Sequence, residues 1–288
     1  MYEKVNPSHP DKVADRIAGA IVDLAYSKKE NPKVACEVLI GHGKTTIINE
    51  TDTPLSVNDI DKIVRRITQS EEIQVEYIEV KQDVHLNGNQ LGKIRCGDNG
   101  IFKGTPMTRE QVLLTNLAGF IYEKYPSDGK YLIDKKTITL CQSKADALIL
   151  KNEINKEKIL NGHSVDRLKI NPLGWWSGGT NVDTGATNRK LGSDMGDGVT
   201  GGGLHGKDLS KADVTLNIWL FLIANQEKRT VETSCSIGDE FVTHPIEKFG
   251  VQYSKIVEIV RGYIKQIGGF EKFAEWGMLR PDQLKIVK

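Results

Sequence analysis

The chemistry in this sequence is concentrated in charged side chains set among glycines. Between Ile170 and Asp213 the chain runs through Ile170-Asn171-Pro172, Trp175-Trp176, Gly178-Gly179, Asp183 and Arg189-Lys190. It continues through Gly201-Gly202-Gly203 and Gly206-Lys207-Asp208 to Lys211-Ala212-Asp213. Glycine lets backbone amides approach a ligand closely and tolerates positive φ. Interleaved with Arg, Lys and Asp, such amides suit a polyphosphate, held through N–H groups and cations. The alternative is a solvated linker, the usual fate of Gly-rich segments. The spaced charges of mixed sign and the two adjacent tryptophans favour a binding loop.

Pro7-Ser8-His9-Pro10-Asp11-Lys12 sets His9, Asp11 and Lys12 at the mouth of a helix, where amide dipoles favour anions. Asp11 there suits a divalent cation, Lys12 a phosphate, and His9 a donated hydrogen bond. Helix capping explains Ser8 or Asp11 but not His9 or Lys12. Two phosphate-loop look-alikes fail. Gly41-His42-Gly43-Lys44-Thr45-Thr46 has Val38 where the earlier glycine belongs and reads as a hairpin turn. Gly201 to Lys207 has the glycine and lysine spacing, but Asp208 replaces the Ser or Thr that would hold magnesium. Gly97-Asp98-Asn99-Gly100 reads as a turn. Glu37 and Glu50, in apolar strands, are either solvent-facing or ligands. Lys207 and Lys211 fall on one helical face beside Asp213, which by itself describes a solvated surface.

The elements that must position these groups follow from apolar spacing. Helices are predicted over 10–29, 54–68, 108–125, 210–226 and 254–267, each with an apolar stripe. Strands are predicted over 34–40 and 45–50 as a hairpin, then 75–80, 137–140, 230–238 and 240–244. The segment 144–160 reads as a strand and a charged helix. Residues 81–107 lack a sustained period and read as a glycine-containing lid or binding loop. Hairpins followed by helices, rather than strict strand–helix alternation, predict an α+β fold. The hairpin-then-helix pattern recurs and suggests three similar lobes, over 1–12 plus 108–170, 13–107 and 171–288.

A chain of 288 residues, 39% hydrophobic and 27% charged, is ordinary for a globular protein with an ample core. A net charge of +1 argues against a nucleic-acid or membrane-surface binder. The first residues carry no apolar leader, and no run is long enough to span a bilayer. Cys36, Cys96, Cys141 and Cys235 lack metal-type spacing, which predicts a reduced, cytoplasmic setting, with Cys36 and Cys235 buried and inert.

Jointly the motifs resemble the methionine adenosyltransferase (S-adenosylmethionine synthetase) family. Glu3 precedes His9-Pro10-Asp11-Lys12 as in that family's opening, and Val34-Ala35-Cys36-Glu37 is similar to its first strand. Glu50, Lys81-Gln82-Asp83, Gly97-Asp98-Asn99-Gly100 and Asp134-Lys135-Lys136 match later motifs in order. So do Ile170-Asn171-Pro172, Asp183 with Arg189-Lys190, Gly206-Lys207-Asp208 through Asp213, and Ser236-Ile237-Gly238. The chain departs from the family in being shorter, with Trp176 best fitting an adenine-stacking phenylalanine, Trp175 where an arginine is usual, and Thr180-Asn181-Val182 in place of Pro-Met-Gly.

The resemblance implies three interleaved lobes and synthesis of S-adenosylmethionine from ATP and L-methionine, with hydrolysis of the tripolyphosphate released. It assigns His9, Lys12, Lys136, Arg189, Lys190 and Lys207 to the polyphosphate and Asp98 to the ribose and reacting centre. Glu50, Gln82, Asp183, Lys211 and Ile237 would surround methionine, and Trp176 would stack on adenine. Asp11 and Asp213 would hold Mg2+, two ions per site, and Glu37 would belong to a K+ site. Active sites would lie between the subunits of a homodimer, which in turn is able to pair. The contractions leave open an inactive homologue that binds ATP or polyphosphate as a regulator, and a tripolyphosphatase.

Overall fold

The computed structural model describes residues 1–196 and 203–281, so Gly201 and Gly202 of the triple glycine lie outside the described residues. Strand β1 (Tyr2–Val5) leads into helix α1 (Pro10–Lys28). Proline starts this helix without loss because first-turn amides have no partner in the helix. The alternating run that follows forms the hairpin β2 (Val34–Gly41) and β3 (Lys44–Thr51). His42 and Gly43, at φ of 50° and 79°, make the tight two-residue turn that suits strand twist. Helix α2 (Val57–Thr68) carries the chain back, so β4 (Gln74–Lys81) runs parallel to β3.

Residues 81–107 are more structured than the sequence suggests. They hold helix α3 (Val84–Asn89) and strand β5 (Gly100–Gly104). Helix α4 (Arg109–Lys124) follows, started by a capping box in which Thr108 and Gln111 bond each other's backbone amides. The hairpin β6 (Gly129–Asp134) and β7 (Thr137–Gln142) then leads to α5 (Ala147–Lys156) and β8 (Arg167–Ile170), parallel to β7. The strand expected near 144 is absent, and only the helix forms there. Beyond lie β9 (Thr184–Ala186), α6 (Leu191–Met195), α7 (Ala212–Glu227), β10 (Val231–Cys235), β11 (Phe241–Thr243), β12 (Gly250–Gln252), α8 (Tyr253–Ile267) and α9 (Phe270–Trp276).

Three of the four sheets among the described residues take an edge strand from elsewhere in the chain. β1 pairs antiparallel with β6, β9 with β2, and β5 with β10. Two sheets, β1-β6-β7-β8 and β9-β2-β3-β4, consequently share one plan of borrowed edge, hairpin, helical crossover and parallel strand. The third region replaces the full sheet with two ribbons, β5-β10 and β11-β12, joined where the Thr233 hydroxyl donates to the Thr243 carbonyl. The α+β fold of three interleaved lobes expected from the sequence is therefore present.

Helices cover one face of each unit. Ile17 and Ile21 of α1 belong to one core with Val34, Cys36, Val38, Ile40 and Ile47 from β2 and β3. In a second core Leu113, Leu117 and Ile121 of α4 join Tyr131, Ile133, Ile138 and Leu140 from β6 and β7. Helix α7 is apolar on nearly every side because it is enclosed by β5 and β10 on one side and α8 on another. The opposite face of β9-β2-β3-β4 is uncovered, with Leu39, Ile48, Ile78 and Val80 exposed among Glu37 and Glu50. No helix among the described residues is long and apolar enough to cross a membrane.

The seam between β9 and α1 is closely packed. A Cβ on Gly185 would sit 2.1 Å from the Pro10 carbonyl and 2.5 Å from the Asp11 amide. Backbone on both sides leaves nothing that can rotate away. Gly185→Ala is expected to destabilise the protein by about 1–3 kcal/mol, the usual cost of overpacking, measured as a lower urea midpoint at unchanged slope.

Candidate active site

The start of α1 gathers the densest group of charges. His9 caps the helix, its Nδ1 accepting from the Asp11 amide at 3.2 Å, so the ring proton belongs on Nε2. The buried Asp11 carboxylate accepts from the Ala186 amide at 2.9 Å, which ties the helix to β9. Arg189 Nη1 lies 3.5 Å and Lys190 Nζ 3.4 Å from the same carboxylate. Lys190 is also 4.0 Å from Glu3, which pairs with Lys130 Nζ at 3.1 Å. Register brings Lys130 there, since it lies opposite Val5 in the β1–β6 ladder.

Asp128 closes the group. Its Oδ2 accepts from the Gly179 amide at 2.8 Å, while Oδ1 is buried without a partner. Trp176 belongs beside it, because a Cβ on Gly178 would touch both the Trp176 ring and the Asp128 Cβ. The Trp176 indole N–H donates to Asn171 Oδ1 at 3.3 Å, whereas Trp175 is 68% exposed. Asp183 is exposed, its Oδ1 accepting from the Thr184 amide, and its field reaches both His9 and Asp128. A cleft of about 300 Å³, lined by Ser8, Arg16, Tyr122, Lys144 and Asn181, includes Asp128 and Gly179 in its wall.

Burial sets the protonation of this group. It lowers the His9 pKa to about 4, Asp11 opposing and Lys190 and Lys130 adding to it, so the ring is a neutral Nε2–H donor at neutral pH. It pushes the Asp128 pKa up to about 6, against the Gly179 hydrogen bond and with help from Asp183 and Asp11.

Lys12 is a correction to the sequence reading. It does not face a phosphate but is fully buried, with Nζ 2.8 Å from Asp194, 3.2 Å from Asp15 and 3.3 Å from His205 Nε2. Burial alone would discharge it, yet Asp194 and Asp15 outweigh burial and hold its pKa above the ordinary lysine value. His205 Nε2 is also 2.7 Å from Asp194. Asp15, Asp194 and His205 have ligand atoms close enough together for a metal, but the Lys12 ammonium already occupies the position between them.

Lys136 is the second correction. It lies in the β6–β7 turn, and Tyr2 opposite Ile133 puts that turn at the far end of the sheet from His9. Its 58%-exposed side chain pairs with Asp166 at 3.4 Å. The lysine at the site is Lys130, missed because Pro126-Ser127-Asp128-Gly129 reads as a turn.

The remaining expected residues line the edge of β2 and the segments around it. Thr187 donates its hydroxyl to Glu37 and its amide to Val38, continuing the β9 edge. Gly206 and Asp208 extend that edge, with Lys207 opposite Ala35. Lys207 Nζ is 2.6 Å from Asp213, in the first turn of α7. Glu50 is exposed opposite Ala35 on the other side of β2. Lys211 caps α7, and its stem runs beside Gly97, whose amide donates to Ser210. Asp98 is exposed and accepts from the Asn99 amide, and Asn99 in turn accepts from the Ile237 amide at 2.7 Å. Gln82, just past β4, buries an unpartnered Oε1. The expected residues thus form two groups, one at the mouth of α1 and one around Asp98, Lys211 and Ile237, with Glu37, Lys207 and Asp213 on the β2 side.

The carboxylates Glu3, Asp11, Asp128 and Asp183 at least balance Lys130, Arg189 and Lys190. Such a site accepts a polyanion only together with hard cations, and carboxylate oxygens are the donors such cations take. The residues present therefore fit Mg2+ at Asp11 and, across Lys207, at Asp213. Glu37, exposed beside the Thr187 hydroxyl, offers oxygen donors of the kind a monovalent cation takes.

An acid whose folded pKa is raised holds its proton more tightly folded than unfolded. The stability Asp128 contributes is then complete below about pH 4 and lost as pH rises through about 6. Asn keeps the acceptor for Gly179 without the charge. Asp128→Asn should therefore gain roughly 2–3 kcal/mol on wild type between acidic and neutral pH, read from urea unfolding across that range.

Comparison with known proteins shows what the chain is similar to. Residues 1–92 match the family model described as S-adenosylmethionine synthetase, N-terminal domain. S-adenosylmethionine synthases of Mycoplasma capricolum and Mycoplasma mycoides are 26% and 25% identical over 310 aligned positions, covering 86% of this chain and 78% of each relative. A solved structure, described as an unusual S-adenosylmethionine synthetase from Campylobacter jejuni, has the same fold, with TM-score 0.73 at 20% identity. That match covers 99% of this chain and 98% of the other, so the two are of nearly equal length. The chain is thus similar to S-adenosylmethionine synthetases, matching the family's N-terminal-domain model over residues 1–92 and sharing the fold of a solved member over nearly its whole length.

Proposed function

We propose that the protein is a methionine adenosyltransferase, joining the sulfur of L-methionine to C5′ of ATP and then hydrolysing the released tripolyphosphate to phosphate and diphosphate. The observation that carries this reading is the convergence of His9, Asp11, Lys130, Arg189 and Lys190 at one helix mouth. A thioether sulfur has no proton to lose, so its lone pair attacks C5′ while the C5′–O pair leaves on the tripolyphosphate. The step needs alignment and charge stabilisation rather than a general base. This inventory supplies the latter. Neutral His9 donates from Nε2, while Lys130, Arg189, Lys190 and Lys207 hold the polyphosphate. Lys130 takes the role the sequence reading gave to Lys136.

Asp11 and Asp213 are the carboxylates that would hold Mg2+, and Glu37 the residue of the K+ site. Magnesium, when bound, offsets phosphate charge in both steps. Trp176 stacks on adenine beside Asp128 and Asp183, while Glu50, Gln82, Asp98, Lys211 and Ile237 receive methionine and the ribose. Because those residues form a group apart from the helix mouth, the complete site is assembled between two copies. The uncovered face with Leu39, Ile48, Ile78 and Val80 is the surface on which they meet.

Purified protein with ATP, methionine, magnesium and potassium tests the reaction directly through accumulation of the sulfonium product. Binding of ATP without turnover would identify a polyphosphate-binding regulator, and phosphate release from tripolyphosphate alone a tripolyphosphatase. Lys130→Ala or Asp213→Ala should lower turnover at least about 100-fold, the scale of one preorganised charge contact, while Lys136→Ala stays within roughly 3-fold of wild type. Ile48→Glu places a charge on the apolar face. Light scattering should then report monomers, with turnover reduced at least roughly tenfold.

A further inference from the structure

Cys96 and Cys235 stand 139 residues apart in sequence, yet their sulfurs lie 2.6 Å apart in the fold, sharing a hydrogen bond as free thiols. Both also face the Asp98 carbonyl, at 3.1 and 3.4 Å. Backbone bonds bring them together. The Cys96 amide donates to the Asp239 carbonyl, the Gly238 amide donates to the Cys96 carbonyl, and Cys235 pairs with Gly100 across β5 and β10. Cys96 ends the stretch that holds α3, and Cys235 begins the 236–239 turn.

We propose that these cysteines are a redox modification site, closing to a reversible disulfide that fastens the Asp98 segment to the Ile237 turn. The other ties across this seam are the two backbone bonds of Cys96, the β5–β10 ladder beyond it, the Asn99–Ile237 bond and the Lys93 and Arg95 pairs with half-exposed Glu240, none of them covalent. Exposed pairs of that kind contribute little. A covalent link would therefore change how far the segment before β5 can lift. The oxidant is a small disulfide such as glutathione disulfide. One thiolate attacks it, forming a mixed disulfide and releasing one thiolate. The second cysteine then displaces the other, so two protein thiols become one disulfide and the oxidant becomes two thiols. Sharing the hydrogen bond lowers the Cys96 pKa, which favours the thiolate needed for attack. The burial of both sulfurs limits the reaction to small reagents. The proposal is independent of the transferase reading, and its test does not use activity.

The full chain is reduced, treated with glutathione disulfide, unfolded and alkylated. The expected result is that free thiols fall from the four in the sequence to those of Cys36 and Cys141, with one peptide pair linked through Cys96 and Cys235. Dithiothreitol should restore all of them. The oxidised form should melt at least about 3 °C higher, because the link closes a long loop. That gain should vanish in Cys235→Ser and persist in Cys141→Ser. Four free thiols after oxidation, or glutathione adducts on separate cysteines without a linked peptide, would overturn the proposal. Peptide mapping of the wild-type chain decides the matter even where a serine variant does not fold.

Discussion

The Lys12 ammonium, enclosed by Asp194, Asp15 and His205, is the contact on which the arrangement of the site depends. It joins stretches that would otherwise have no reason to meet. Lys12 follows Asp11 on α1, Asp194 lies in α6 just after Lys190, and His205 precedes Lys207. Asp11, Arg189, Lys190 and Lys207 are thus each within a few residues of a member of this buried cluster. Replacing all of a buried ion cluster by apolar groups is often harmless to stability, but removing one partner strands the others and costs about 3–5 kcal/mol. The cluster holds geometry more than it adds stability, and Lys4, donating to the Ser193, Trp276 and Leu279 carbonyls, anchors the same region from β1.

Against that fixed background the site carries charges of both signs held apart by only a few ångströms. Asp11 is shared by a backbone amide, a guanidinium and an ammonium, so its position is set from three sides. Asp213 is held by Lys207 in a similar way at the start of α7. Pairing cations with carboxylates keeps a site of high charge density from repelling itself before a polyanion arrives. It also makes recognition depend on charge count as well as shape.

Much of the fold was legible because long helices and the β2–β3 hairpin have clear apolar periods. The missed elements were short or borrowed. β1, β5 and β9 become strands through partners far away in sequence, and local pattern carries no trace of those partners. The same blindness produced the errors at the site. Lys136 has the right neighbours in sequence, but two-residue hairpin geometry places it at a turn, and only the register with β1 selects Lys130. Lys12 looked like a surface cation because its partners Asp194 and His205 lie more than 180 residues away. His9, Asp11, Arg189 and Lys190 were legible, since the type of each residue at a helix or turn boundary already limits what it can do.

The exchange of edge strands has a consequence for how the chain comes off the ribosome. β1 is made first, but its partner β6 is made more than a hundred residues later. Likewise β2 must wait for β9, and β5 for β10. At most points during synthesis one sheet edge is unpaired, a state that invites association with other nascent chains. Contacts of such high sequence separation also slow folding, because distant segments must be brought together before burial rewards them. An architecture that binds its lobes firmly once complete is for that reason one whose unfinished forms depend on being shielded.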